Sequence, residues 1–343
     1  MPYKMPADSV WARVGLATKK DINMLQRSIV MVGAIDNDDR FHACGTAFLV
    51  HTAGRHSVYL SVWHVLKYAM QRVMPEWRAQ RPAEDWNDAD FNQAVDCRRL
   101  FVYSEQFPYG KPPRIVEIRS SPEPDLGIFI TESDRTLPTN PRPPLPVVSL
   151  NSDLLPVGTR LIAALPNMDD PTQHPDSPTT YSFGRDMRVQ VGTITGFVRR
   201  GLLVKCPAYV TSMPANGGMS GSPVFAYGTG ENVQMSAIGV LSHSGLLGAT
   251  DFDNQTVYGL STVVPIVYAY GLRTPIRLRG DGSAMRFSEL IERGLVRDHG
   301  SRAANIRVEV QGRQYTVWVP TFPGMTFDDW ERTYSIQSPE AGP

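Results

Sequence analysis

Asn216-Gly217-Gly218-Met219-Ser220-Gly221-Ser222-Pro223, followed by Val224-Phe225, is the stretch on which the reading of this chain turns. A serine flanked by glycines in a tight turn exposes its Oγ. Nearby backbone N–H groups can also converge on one point. Acyl transfer needs both features, a nucleophile and an oxyanion hole made of N–H donors. A side chain at Gly218 would block a carbonyl approaching Ser220. An ordinary Gly/Ser turn has the same letters, so the remaining parts must be sought elsewhere in the chain.

A serine hydroxyl is a weak nucleophile without a base. Among seven histidines, His64 stands in Ser61-Val62-Trp63-His64-Val65, where an apolar strand gives way to helical spacing. Taken alone, a histidine in an apolar segment is more often a packed core residue. The base in turn needs a carboxylate to hold its tautomer. Asp125 opens the apolar run Leu126-Gly127-Ile128-Phe129-Ile130, so it is expected to be at least half buried and to need a partner. Asp85, Asp88, Asp90, Asp96, Asp169 and Asp170 lie in polar runs and need none.

The rest of the chain suits a fold of short strands. Its 343 residues allow two compact domains or one large one, and 42% hydrophobic with 20% charged residues is a globular composition. Gly and Pro, 28 each, punctuate it heavily. Strands are expected at 28–35, 45–50, 57–62, 99–103, 114–118 and 126–130, with a helix at 65–74 and a polar surface insertion at 75–97. A proline-rich linker follows at 136–146. Further strands are expected at 160–165, 189–198, 202–204, 223–226, 235–241 and 257–264, around a polar loop at 167–187. A hairpin at 308–319 turns at Gln311-Gly312. Parallel α/β architecture needs a helix after nearly every strand, and those helices are missing.

Lys+Arg and Asp+Glu are 34 each, giving zero net charge, which argues against nucleic acid or an anionic membrane as main partner. Cys44, Cys97 and Cys206 are too scattered for a disulfide framework or zinc site. The first residues hold no apolar run of signal-peptide length, and prolines and glycines break the charge-free stretch 206–230. A cytoplasmic setting is expected.

CGTAFLV (44–50), SVWHV (61–65), PDLGIFI (124–130) and GGMSGSPVF (217–225), in the order His, Asp, Ser at 61- and 95-residue spacings, resemble the chymotrypsin-like serine proteases. They resemble most the bacterial trypsin-like peptidase domains related to the HtrA type. The likeness covers roughly residues 28–272. It implies an all-β fold of two six-stranded antiparallel β-barrels with a small C-terminal β-containing extension. The division is a segment 1–26, a first barrel 27–135 with His64 and Asp125, a second barrel 136–274 with Ser220, and the extension 275–343.

The resemblance also implies roles. Ser220 attacks, His64 is the base, Asp125 orients His64, and the N–H groups of Gly218 and Ser220 hold the oxyanion. No metal or organic cofactor is needed, and the substrate is a protein or peptide. Pro214, Ser242, His243, Ser244 and Gly259 fall at substrate-binding positions. Pro214 stands where trypsin-like enzymes that cut after Lys or Arg have Asp, so a small or medium apolar residue is expected at the cleavage site. Val65 follows His64 where the secreted animal enzymes have a cysteine, so Cys44 lacks that disulfide partner. Met219 replaces the Asp that pairs with a new N-terminus in secreted zymogens, so activity is expected without N-terminal cleavage. Ser222 replaces a glycine of the usual Ser-Gly-Gly-Pro.

Three other readings compete. An α/β-hydrolase would need GxSxG, but Ser222 fills the last position. His51 and His56 could suggest a metal pair, but no carboxylate is near and surface positions suit them better. A protease-fold scaffold that binds without cutting would keep the fold and not the chemistry. The 275–343 stretch is read as a structural extension on the second barrel or as a docking site for a regulatory protein.

Overall fold

The computed structural model describes residues 25–76, 88–103, 112–132, 147–166, 172–174, 177–182, 187–198, 203–215, 217–227, 236–244, 260–277, 284–301, 306–311, 314–318 and 335–337. The first barrel is built from β1 (Ile29–Ile35), β2 (Phe41–Ala53), β3 (His56–Ser61), β4 (Leu100–Tyr103), β5 (Arg114–Ser121) and β6 (Leu126–Glu132). They close in the order β1-β2-β3-β6-β5-β4 with every pairing antiparallel. A two-residue turn joins β2 to β3, and Gly54 supplies its left-handed φ of 61°. Helix α1 (Trp63–Val73) turns Val65, Leu66, Ala69, Met70 and Val73 inward at helical spacing and packs on β1 and β2. That cover explains why six of the seven β1 residues are buried.

The second barrel uses β8 (Arg160–Pro166), β11 (Met187–Val198), β12 (Ala208–Thr211), β13 (Pro223–Tyr227), β14 (Ser236–Ser244) and β15 (Ser261–Pro265). Their order is β13-β8-β11-β12-β15-β14, and the β13–β14 pairing closes the ring of six. A two-residue strand β7 (Ser149–Leu150) adds to β14 in parallel, while β9 (Thr172–His174) and β10 (Ser177–Ser182) form a separate ribbon. The architecture is therefore all-β, with two closed six-stranded antiparallel barrels. This arrangement leaves no room for an α/β-hydrolase, whose sheet is parallel.

Beyond a 3₁₀ turn at Ile266–Gly271, β16 (Arg273–Arg277) pairs with β17 (Ala284–Arg286), and the short helix α3 (Phe287–Glu292) follows. Among the described residues, three strands follow, β18 (Arg307–Gln311), β19 (Gln314–Trp318) and β20 (Ser335–Gln337). The expected hairpin is β18–β19, paired to Gln311↔Gln314, with its turn at 312–313 outside the described residues. The extension meets both barrels, not the second alone. β16 lies against β5 and β6, and the Leu295 carbonyl accepts from His51 Nδ1 of β2 at 2.9 Å. On the other side, Leu150 N–H donates to Arg297 O and His299 N–H to Leu150 O, each at 2.8 Å.

Two local expectations are corrected. The polar stretch 75–97 ends in a helix, α2 (Asp88–Asp96), which buries Ala94 and Val95 against β5. A helix needs only one apolar edge, so the many acids around it do not prevent it. No strand forms at 203–204, and pairing begins at Ala208 instead. The linker at 136–146 and most of residues 1–26 lie outside the described residues.

Candidate active site

Asp125 ends a turn ahead of β6 with φ at 53°, a left-handed conformation that Asp tolerates better than most residues. Its side chain is 1% exposed. A carboxylate so buried is costly unless hydrogen bonds surround it, and here they do. The His64 N–H donates to Oδ1 at 3.0 Å, and His64 Nδ1 donates to Oδ2 at 2.8 Å. Ser242 Oγ adds a third bond to Oδ2 at 2.5 Å, and the Asp125 carbonyl accepts from Trp63 N–H at 3.2 Å. With Nδ1 committed as donor, the neutral ring carries its lone pair on Nε2. His64 is the second residue of α1, so helix and strand together aim it.

Ser220 comes from the second barrel. Its Oγ donates to the Ser242 carbonyl at 2.8 Å, so Ser242 touches Ser220 with its main chain and Asp125 with its hydroxyl. In this arrangement Ser220 Oγ is not hydrogen-bonded to His64. The loop around it uses two glycines in the left-handed region, Gly218 at 85° and Gly221 at 90°. A Cβ on Gly221 would sit 1.8 Å from the Thr46 carbonyl oxygen, so only glycine fits there. The Gly221 N–H bonds Leu241 O at 2.7 Å, and the Ser222 N–H bonds Met219 O at 3.0 Å. Met219 is buried in the second barrel's core beside Met213 and Leu241. Among the described residues, the N–H groups of Gly218 and Ser220 form no hydrogen bond.

His243, next along β14, is half buried. Burial and the neighbouring His64 charge push its pKa below the ordinary 6.5, against the pull of Asp125. Cys44, Cys97 and Cys206 are all free thiols. Burial pushes Cys44 up to about 12, outweighing nearby Arg72, and pushes Cys206 well up, with Glu123 and Asp125 adding to it. Neither thiol ionises near neutral pH, so neither offers a thiolate nucleophile.

The structure thus brings His64, Asp125, Ser220 and Ser242 into one hydrogen-bonded cluster. Pro214 is exposed between buried Met213 and half-buried Ala215. Ser244 lies in β14 opposite Ser261, while Gly259 and Asn216 fall outside the described residues. His51 faces the extension, as its bond to Leu295 shows. Two further features carry no signal in the sequence. Thr46 holds the nucleophile loop, and Thr211 Oγ1 pairs with Ser261 Oγ at 2.7 Å in a fully buried site. A threonine in the strand-like run CGTAFLV gives no hint of its partner 172 residues away.

Two closed six-stranded barrels, with His64 and Asp125 on the first and Ser220 on the second, decide the fold. It is the chymotrypsin-like fold. No protein-family model matches the chain, and no curated protein does. Among solved structures it is similar to the active form of the Rv3671c protease from M. tuberculosis, at 14% identity and a TM-score of 0.42. That match covers 77% of this chain and 88% of the other. It is also similar to kallikrein-related peptidase 10, at 13% identity and a TM-score of 0.36, over 71% of this chain and 91% of that one. Among the described residues, no helix is long and apolar enough to cross a membrane.

Proposed function

We propose that this chain is a serine endopeptidase in which Ser220, His64 and Asp125 act as one unit. The observation that carries the reading is the buried Asp125 carboxylate accepting His64 Nδ1 at 2.8 Å while Ser242 ties it to Ser220. Ser220 Oγ swings from the Ser242 carbonyl and gives its proton to His64 Nε2 as it bonds the scissile carbon. Asp125 holds the imidazolium that results. The carbonyl oxygen becomes an oxyanion received by the N–H groups of Gly218 and Ser220, which bond nothing else among the described residues. His64 then protonates the leaving amine, and water, giving a proton to His64, cleaves the acyl ester while His64 passes that proton to the departing Ser220 Oγ.

The substrate reading follows from charge. Pro214 and its neighbours Thr211, Ser212, Met213 and Ala215 offer no carboxylate, and burying a substrate cation without one is costly. Cleavage after Ala, Val, Leu or Met is expected. Peptide-library profiling that returned mainly Lys or Arg would overturn this. Met219, buried and uncharged, cannot pair with an inserted ammonium, which supports activity without N-terminal cleavage. Probe labelling that appeared only after trimming to Ile29 would refute that part. The kinship with HtrA-type domains, a cytoplasmic setting and a regulatory partner on 275–343 belong to the same reading.

One observation favours a silent scaffold instead: Ser220 Oγ rests on Ser242, not on His64. Labelling with a fluorophosphonate probe separates the two. The wild type takes the label and Ser220→Ala does not if the chain is an enzyme; equal absence of label selects the scaffold.

A further inference from the structure

Thr46 belongs to β2 of the first barrel and is fully buried, yet its polar atoms are aimed at the second barrel's nucleophile loop. Its N–H donates to Ser220 O at 2.8 Å, and its Oγ1 donates to Gly218 O at 2.8 Å. Its own carbonyl accepts from Ser61 Oγ at 2.7 Å, which fixes Thr46 within the first barrel. The two contacts bracket Met219, whose carbonyl is taken by Ser222 N–H. Three successive carbonyls, those of residues 218, 219 and 220, are therefore all held.

That matters because a peptide unit is planar, with its C=O and N–H pointing opposite ways. Fixing the Met219 carbonyl aims the Ser220 N–H. Fixing the Gly218 carbonyl sets the rotation on the far side of a glycine, the residue with the widest backbone freedom. Gly217, beside it, is exposed, and a Cβ built there would meet nothing within 4 Å. Without the Thr46 hydroxyl, nothing else among the described residues holds the Gly218 carbonyl. We propose that Thr46 is a positioning residue. Its hydroxyl, supplied by one barrel, holds the 218–219 peptide unit, which lies between the two donor peptides on the other, and so fixes the frame from which the Gly218 and Ser220 N–H groups point. The catalytic part of this proposal rests on the endopeptidase reading above.

The test compares Thr46→Val, which keeps the shape and loses the hydroxyl, with Thr46→Ser, which keeps the hydroxyl. Removing an oxyanion donor outright costs about 10²–10³ in kcat. Misaiming the donors is expected to lower kcat about 10- to 100-fold in Thr46→Val, with KM nearly unchanged and a matching fall in fluorophosphonate labelling rate. Thr46→Ser is expected to return to within about threefold of wild type. Equal kcat in the Val variant and wild type would overturn the proposal, as would a Ser variant as poor as Val. A crystal structure of full-length Thr46→Val reads the same point without catalysis. A Gly218 carbonyl turned from its wild-type position supports the proposal, and an unmoved one overturns it. If wild type shows no Ser220-dependent turnover, the endopeptidase reading falls, and that crystal structure alone decides whether Thr46 holds Gly218.

Discussion

The two halves of the candidate site are held in different ways. The acid–base half is secured mostly by its own barrel. Asp125 is gripped by the Trp63 and His64 N–H groups and by the imidazole, all from the segment after β3. The nucleophile half sits on a loop with glycines at 217, 218 and 221, and two of its carbonyls are anchored by Thr46 of the other barrel. Exchange runs both ways, since Ser242 of the second barrel completes the shell around Asp125. The aim of His64 is thus set mainly within the first barrel, while the placement of Ser220 depends on how the barrels dock.

This contrast can be broken or sharpened by substitution. The largest effect is expected where the halves act together. Ser220→Ala or His64→Ala should each lower kcat by about 10⁴- to 10⁶-fold, and the double variant should lose little more. Additive losses in steady-state kinetics would separate the halves and sink the triad. Next comes Asp125→Asn, which changes the first barrel's half and its one tie to Ser242 of the second. Asn accepts the left-handed backbone at this position, so the fold should survive with Tm lowered by no more than about 5 °C. The wrong imidazole tautomer should still lower kcat about 10⁴-fold at neutral pH. A variant that unfolds would show that the carboxylate holds the barrel as well as the base.

The smallest expected effect lies at the seam. His243 has a folded pKa below its ordinary 6.5, so the unfolded chain binds the proton first as pH falls. Its contribution is full above pH 6.5 and is lost as pH falls from there toward the folded pKa. His243→Gln should therefore lose less Tm than wild type between about pH 7.5 and about pH 5. Identical slopes by calorimetry would remove His243 from the pH response.

What could be read in the sequence follows the range of each interaction. His64, Asp125 and Ser220 were legible because each polar residue interrupts an apolar or glycine-rich pattern at a strand end. Most first-barrel strands were legible too, since alternation and turns are local. Thr46 was not, because Thr is an ordinary strand residue and its partner Gly218 is remote in the chain. Nor was β7, whose two residues carry no periodicity and exist as a strand only because β14 lies beside them. The helix within 75–97 was hidden by its acids, and the extension's grip on Leu150 passes through main-chain atoms that any residue supplies.

The backbone at Asp125 bears on how this chain can change over generations. With φ at 53°, the residues that fit there at least strain are Gly, Asn and Asp. Asp alone of these brings a negative charge. On the endopeptidase reading, a lineage released from that activity thus meets little structural resistance in drifting from Asp to Asn at this position. Activity could lapse in one conservative step while both barrels, and any surface they present to partners, pass unaltered to the descendants.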